Sequence, residues 1–208
     1  MVPTTHDPIT RILHLGMMVF GLTAFFTGLI GDEEHEEEEH EHGGAVADAM
    51  PEGGESLLFE IHEMSGLLTG AVVLTRILWG FIGPETQRFS FWFPLAKARL
   101  LETAEDIGKL LRRITPDRPS HGGLAGLVQF LGIATFTWMG MTGGILFTFL
   151  PEGASEPKGW LEVIAEGHEV GEPLIMLFLL LHVGGAITHH IAGHPIWHRM
   201  FPFIKPKV

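Results

Sequence analysis

Four histidines stand in or beside long apolar stretches of this sequence, where an imidazole needs a partner that water cannot supply. They are His14, His62, His168 and His182. Polar side chains at such depths are rare and usually serve a cofactor, an ion or a proton. His168 and His182 are 14 residues apart, which is close to four helical turns. Their imidazoles are therefore expected on one helix face, about 21 Å apart.

The other two histidines match that separation. His14 lies about one and a half turns after the start of the first apolar stretch, and His62 about one turn after the start of the second. Because the two stretches run in opposite directions, their imidazoles differ in depth by roughly 18 to 20 Å. This predicts that His62 pairs with His168 and His14 with His182. Along the helix, His189 lies about 10.5 Å from His182 and about 31 Å from His168. Neither distance matches the depth difference between His14 and His62, so His189 fits the pairing less well.

Two stacked imidazole pairs are what two b-type haems require, since each iron takes one axial nitrogen from either side of the macrocycle. Zinc is the main chemical competitor, but a closed zinc site takes four ligands, and the chain has no cysteine. Arg76, on the face of His62 at the inner level, is a candidate partner for haem propionates; its alternative role is to reach lipid phosphate. Small residues beside the proposed ligands leave room for a flat cofactor: Gly66, Gly70, Gly184 and Gly185.

Simpler roles exist for each histidine. Any one of the four could hydrogen-bond a Ser, a Thr or a carbonyl across helices, but four at matched depths favour ligation. His189 and His190, near the end of the last stretch, keep three alternatives: interface residues, an alternative inner ligand, or a proton path to a quinone.

Composition indicates a membrane protein. Of 208 residues, 46% are hydrophobic and 18% charged, and the mean hydropathy is +0.26. The absence of cysteine excludes disulfides, iron-sulfur clusters held by this chain and covalently attached c-type haem. A net charge of -12 argues against a nucleic-acid partner. Four stretches are long enough to cross a bilayer: about 9–31, 58–82, 123–150 and 171–191.

Charge asymmetry orients these spans. Residues 32–56 contain no Lys or Arg, whereas seven lie between the second and third spans and three follow the fourth. Both termini and the middle loop are therefore expected in the cytoplasm. Residues 94–114 predict either an interfacial amphipathic helix or a solvated helix under the bundle. Residues 32–42, DEEHEEEEHEH, predict the start of an acidic, mobile outer loop that extends to residue 56. The expected fold is a single all-α domain over residues 1–208, an integral membrane four-helix bundle.

Several motifs resemble the bacterial cytochrome b561 and Ni,Fe-hydrogenase cytochrome b group. The first span opens with DPITRILHLG, and the second reads IHEMSGLLTGAVVLTRILWGFIGPETQRFSFW. The fourth region reads GHEVGEPLIMLFLLLHVGGAITHH and is followed by IWHRM. The resemblance implies four helices, two haem b groups and electron exchange with a quinone, with His14, His62, His168 and His182 at the ligand positions.

The expected function is electron transfer in a respiratory chain of the bacterial inner membrane, between a periplasmic redox partner and the quinone pool. The acidic outer segment favours a basic cytochrome c; a hydrogenase or other dehydrogenase subunit, or superoxide, are alternatives. Quinone chemistry is expected near the inner haem, beside Arg76, His189 and His190. A homodimer is a further possibility. In a different class, His35, His40 and His42 could serve a divalent-metal transporter or sensor.

Overall fold

The computed structural model describes residues 6–41, 57–116, 118, 122–150, 157–193 and 196–201. This part of the chain is entirely helical apart from short connections, so the predicted all-α class is confirmed. Its helices are α1 (Pro8–Glu41), α2 (Leu57–Ile82), α3 (Phe89–Trp92), α4 (Lys97–Leu111), α5 (Gly123–Phe149), α6 (Trp160–Glu169), α7 (Gly171–Ile191) and α8 (Trp197–Met200), with a 3-10 turn at Glu85–Gln87.

Four helical segments are long and apolar enough to cross a membrane. They cover Pro8–Gly31, Leu57–Ile82, Gly123–Phe149 and Trp160–Ile191. The last joins α6 and α7, which are separated only by Val170 in a right-handed helical conformation. Pro173 explains this break, because it has no N–H to donate to the carbonyl of Glu169. The predicted four-span architecture is confirmed.

The long helices pack in the order α1, α2, α5 and α7, with α6 also against α5. Val73, Phe136 and Ile175 form the buried core between α2, α5 and α7. A methyl group added at Gly140 would lie 3.1 Å from the Cα atom of Gly70, so these glycines allow α2 and α5 to approach closely. By contrast, α1 with α7, and α2 with α6, make few close backbone contacts. The backbones of these two helix pairs therefore lie farther apart than those of the closely packed pairs.

The prediction of a loop from residue 32 is wrong for its first ten residues. Helix α1 continues through the acidic run to Glu41, and residues 42–56 lie outside the described part. Glutamate is a good helix former, and adding residues to an existing helix avoids the cost of nucleation. These two effects outweigh the repulsion between like charges on successive turns.

Helix α4 lies within the segment 94–114 that was predicted to be helical. It packs against α5 through a face that buries Thr103 and Asp106. Asp106 accepts hydrogen bonds from the Arg118 side chain at 2.6 Å and from the Leu124 backbone N–H at 3.1 Å. This carboxylate therefore joins α4 to the first turn of α5. The position of α4 relative to a bilayer remains a prediction.

Candidate haem-binding site

The four predicted histidines meet in the two predicted pairs. The ring centroids of His14 and His182 are 6.1 Å apart, and those of His62 and His168 are 6.2 Å apart. The first pair joins α1 to α7 and the second joins α2 to α6, between helices that make few close backbone contacts. The pairing deduced from helical spacing thus matches the geometry of the fold.

These separations match two imidazoles on opposite sides of one metal ion. A histidine nitrogen binds a transition metal at about 2.0 Å and lies about 1.1 Å from its own ring centre, so a linear arrangement spaces the centroids by about 6.2 Å. Among the described residues, no group of three or more His, Asp or Glu side chains could hold a metal ion. Two-coordinate axial ligation of haem therefore fits the geometry better than a closed zinc site.

His62 is oriented by a backbone carbonyl of α1. Its Nδ1 lies 2.8 Å from the carbonyl oxygen of Ala24, and since a carbonyl only accepts, Nδ1–H is the donor. The proton-free nitrogen is then Nε2, the one available to a metal. A methyl group at Gly28 would lie 3.0 Å from the His62 ring. Glycine at this position lets the ring lie against the α1 backbone.

His168 has a matching support from α5. Its Nδ1 lies 2.8 Å from Thr142 Oγ1, and the Thr142 hydroxyl donates to the carbonyl oxygen of Trp138 at 2.9 Å. With its hydrogen engaged there, Oγ1 accepts from His168 Nδ1–H, which again leaves Nε2 for a metal. A methyl group at Gly143 would lie 3.0 Å from the His168 ring. Such outer hydrogen bonds fix the orientation of metal-binding histidines and raise their basicity.

The inner pair lies among aromatic rings. His182 stacks on Phe178 with 5.1 Å between ring centroids. Phe201 meets His14 edge to face at 6.1 Å. The segment that carries Phe201 is held to α1 by the Arg11 side chain, whose Nε donates to the carbonyl oxygen of Met200 at 3.1 Å. This C-terminal segment therefore covers one side of the inner pair.

Arg76 is a buried cation whose terminal nitrogens could bind an anion. It is 2% exposed, and neither terminal nitrogen has a hydrogen-bond partner among the described residues. Its guanidinium lies 5.9 Å from the Phe89 ring centre, a contact too weak to replace lost hydration. A carboxylate such as a haem propionate would satisfy both nitrogens at once. The residues present therefore fit a haem at this level.

The predicted glycines divide into two groups. A methyl group at Gly66, Gly184 or Gly185 would meet nothing within 4 Å, so these positions border open space. Gly70 instead lies at the crossing with Gly140, where a methyl group on Gly70 would contact the α5 backbone at 3.6 Å. Its observed contact is with a neighbouring helix.

His189 and His190 lie at the end of α7, away from both pairs. His190 is exposed, and its ring centroid lies 6.4 Å from that of Trp197. His189 is half-buried. Their three alternative roles stay predictions. Of the acidic-run histidines, His42 lies outside the described residues, as do the side chains of His35 and His40.

Sequence reasoning missed the residues that orient His62 and His168. Thr142 and the carbonyl of Ala24 give no recognisable spacing relative to His168 and His62, because each lies on a different helix from the ring that it contacts. Gly28 and Gly143 carried a weak signal as glycines inside apolar helices, where close packing against a neighbouring side chain is one reason for a glycine.

A family model supplies the deciding comparison. The model described as prokaryotic cytochrome b561 matches residues 5–203. The chain belongs to the prokaryotic cytochrome b561 family. No curated protein and no solved structure gives a significant match. Members of this family are membrane b-type cytochromes of electron transfer and bind haem b, which agrees with the four apolar helices and the paired histidines.

Proposed function

We propose that this cytochrome b561 binds two haem b groups and carries electrons between a periplasmic redox partner and the quinone pool. His62 and His168 hold the outer haem, and His14 and His182 hold the inner one. The observation that carries this proposal is the presence of two imidazole pairs, each at a separation that fits axial ligation. When bound, haem supplies reversible one-electron chemistry at iron.

The chain's own contribution is to fix the ligands and the local charge. Ala24 and Thr142 hold the Nδ1–H groups of the outer pair, which keeps Nε2 directed at the metal position. Arg76 compensates the negative propionates of the inner haem in a region from which water is excluded. The two histidine pairs are about 21 Å apart along the fourth span, so haems held by them would be close enough to exchange electrons.

Quinone reacts at the inner level in this proposal. Protons are available from the cytoplasm there, and Arg76, His189 and His190 belong to that end of the bundle. His189 or His190 then exchanges protons with the quinone. The alternative role of these two histidines is packing at the helix interface.

Helix α4 lies in the cytoplasmic interface of the bilayer. Its outward face carries Leu100, Ile107 and Leu111, which are 46%, 45% and 82% exposed, at spacings of seven and four residues. Lys109 and Arg112 lie on a different side of the helix. An apolar stripe beside a charged face is the pattern of a helix that lies in the membrane surface. The basic residues between the second and third spans favour the cytoplasmic side for this interface, and with it cytoplasmic termini.

The direct experiment is a pyridine haemochrome assay on the detergent-purified protein, combined with a reduced-minus-oxidised spectrum. Two haems per chain are expected for the natural sequence. His62→Ala and His14→Ala should each retain one haem, at different redox potentials. A single haem in the natural protein, or none when haem supply is adequate, would contradict the proposal.

His189→Ala is the matched control for the ligand variants. It should retain two haems and lower the rate of quinone reduction or quinol oxidation. Loss of one haem from this variant would instead make His189 a ligand. Unchanged quinone turnover would leave the interface role for this residue.

A further inference from the structure

A second polar cluster surrounds the inner end of the bundle and has no part in haem ligation. His6 and Gln87 lie at its centre, 9% and 3% exposed. The amide nitrogen of Gln87 lies 2.9 Å from His6 Nδ1. Because an amide nitrogen only donates, His6 Nδ1 accepts, and its ring is neutral with its hydrogen on Nε2. This buried contact links the segment that precedes α1 to the 3-10 turn that follows α2.

The other end of the same amide lacks a partner. Gln87 Oε1 is buried and accepts no hydrogen bond among the described residues. Rotation of the amide by half a turn would exchange Oε1 and Nε2. Oε1 would then accept from a protonated His6 Nδ1–H. Either orientation leaves one amide atom unpaired, so the exchange itself changes the hydrogen-bond count little.

Charges on three segments act on His6. Asp7 next to it favours the protonated ring, whereas Arg76 on α2 and Arg199 on α8 oppose protonation. Burial is the largest influence, and it lowers the pKa of His6 below its ordinary value of 6.5. The hydrogen bond with Gln87 favours protonation, since the rotated amide can accept from Nδ1–H, but burial has the larger effect on the pKa of His6. The ring is therefore neutral near pH 7.

We propose that the His6–Gln87 pair binds a proton from the cytoplasmic phase more tightly when the inner haem site gains one electron. This inference rests on the proposed function, which supplies the electron from quinol or the external partner. If the inner haem gained that electron, a larger fraction of the molecules would carry a proton on His6 Nδ1, and in those molecules the Gln87 amide would rotate to accept from it. The added negative charge would thereby be partly compensated at the same end of the bundle.

The expected change in the inner haem potential follows from the distance between His6 and the inner histidine pair. Pro8 to His14 covers about 9 Å of helix axis, and the two residues before α1 add a few Å, so His6 lies on the order of 12 Å from His14. Removal of one unit of positive charge at that distance, at an effective dielectric of about 20, raises the proton affinity of His6 about tenfold. For a one-electron couple, a tenfold change corresponds to about 59 mV. The inner haem potential should therefore fall by about 59 mV in total as pH rises through the two His6 pKa values.

The test is a redox titration of both haems between pH 5 and 8.5. The inner potential should fall with rising pH, mainly near and below pH 6.5, because burial lowers the His6 pKa. The outer haem, about 21 Å farther away, is an internal control with a much smaller response. His6→Asn keeps a hydrogen-bonding group for Gln87 but does not titrate, so its inner potential should not show this fall.

A second variant keeps the proposal testable if His6→Asn folds poorly. Gln87→Glu places a carboxylate beside His6, which should move the pH-dependent range upward. Two haems with a pH-dependent inner potential that is identical in all three proteins would overturn this inference and leave the proposed function intact. Absence of the inner haem from the natural protein would instead contradict the proposed function.

Discussion

At the residue scale, the orientation of His62 and His168 depends on two hydrogen-bond acceptors that lie on other helices. Ala24 contributes a backbone oxygen, which no side-chain substitution removes. Thr142 contributes a hydroxyl oxygen, and its own hydrogen is already committed to Trp138. The fixed direction of that hydroxyl gives His168 a defined tautomer. A substitution at Thr142 therefore changes the hydrogen bonding of His168 while all four histidines stay in place.

Thr142→Val should weaken the outer haem selectively. The variant has nearly the same shape but leaves His168 Nδ1–H without its acceptor, and loss of such outer hydrogen bonds typically costs about 10- to 100-fold in affinity. Haem retention during dilution and the outer midpoint potential would measure this effect. Thr142→Ser, which restores the hydroxyl, should behave like the natural protein. Equal haem retention in Thr142→Val and Thr142→Ser would show that the hydroxyl has no such role.

At the element scale, two carboxylates from the interior of α4 join it to the start of α5. Asp106 and Glu102 accept from the first backbone N–H groups of α5, at Leu124 and Gly123, which have no partners within the helix. Asp106 also pairs with Arg118 at 2.6 Å. The connection between the second and third spans is thereby attached to the bundle.

Asp106→Ala should destabilise this connection. It removes a helix cap and one partner of a largely buried ion pair, for an expected loss of about 1–3 kcal/mol. Thermal unfolding in detergent, followed by circular dichroism, would show a lower midpoint. Glu105→Ala is a suitable control, because its pair with Arg118 is more exposed and should contribute less. A midpoint in Asp106→Ala no lower than in Glu105→Ala would contradict the capping role.

Glu102 makes the stability of the same connection depend on pH in the acid range. A hydrogen bond from Arg99 lowers the pKa of Glu102 below its ordinary value of 4.5. The stabilisation from this group is therefore present above pH 4.5 and is lost as pH falls through the lower, folded-state pKa. Glu102→Gln should reduce the loss of stability across that acid range. An unchanged pH dependence in unfolding experiments would exclude this contribution.

The sequence was most informative about elements whose spacing is set by the membrane. The span lengths and the 14-residue interval between His168 and His182 specify depth, so they predicted both the bundle and the two histidine pairs. Contacts between distant parts of the chain have no such spacing: Thr142 with His168, or Gln87 with His6. The continuation of α1 to Glu41 was also missed, because the acid-rich composition was given more weight than helix propagation.

At the scale of the whole molecule, the two described ends of the chain meet. The backbone N–H of His6 donates to the carbonyl oxygen of Arg199 at 3.2 Å, so the start of α1 and the end of α8 lie on the same side of the bundle. The basic residues of the sequence favour the cytoplasm for that side. The inner haem level would then face cytoplasmic protons, and the acidic segment would face the periplasm.

The absence of natural cysteines allows this orientation to be measured. A single cysteine at exposed Arg112 should react with a membrane-impermeant maleimide in inverted vesicles but not in intact spheroplasts. A single cysteine at Glu52 should show the opposite pattern. Labelling of both positions from the same side would contradict the four-span topology, and exchange of the two patterns would reverse the orientation.

The charge of the outer segment leads to a prediction about partner binding. Residues 32–55 contain 11 Asp or Glu and no Lys or Arg, so a basic soluble cytochrome c should associate quickly at low salt. Because the Debye length shortens from about 30 Å at 0.01 M salt to about 10 Å at 0.1 M, the association rate should fall steeply over that range.

Replacement of Glu36, Glu37, Glu38 and Glu39 with Gln should lower the low-salt rate and flatten its salt dependence, while both haems stay bound. Stopped-flow electron transfer with a basic cytochrome c would measure both rates. A rate independent of salt in the natural protein would reject electrostatic steering and favour a docked hydrogenase or dehydrogenase subunit, whose apolar contacts respond less to ionic strength.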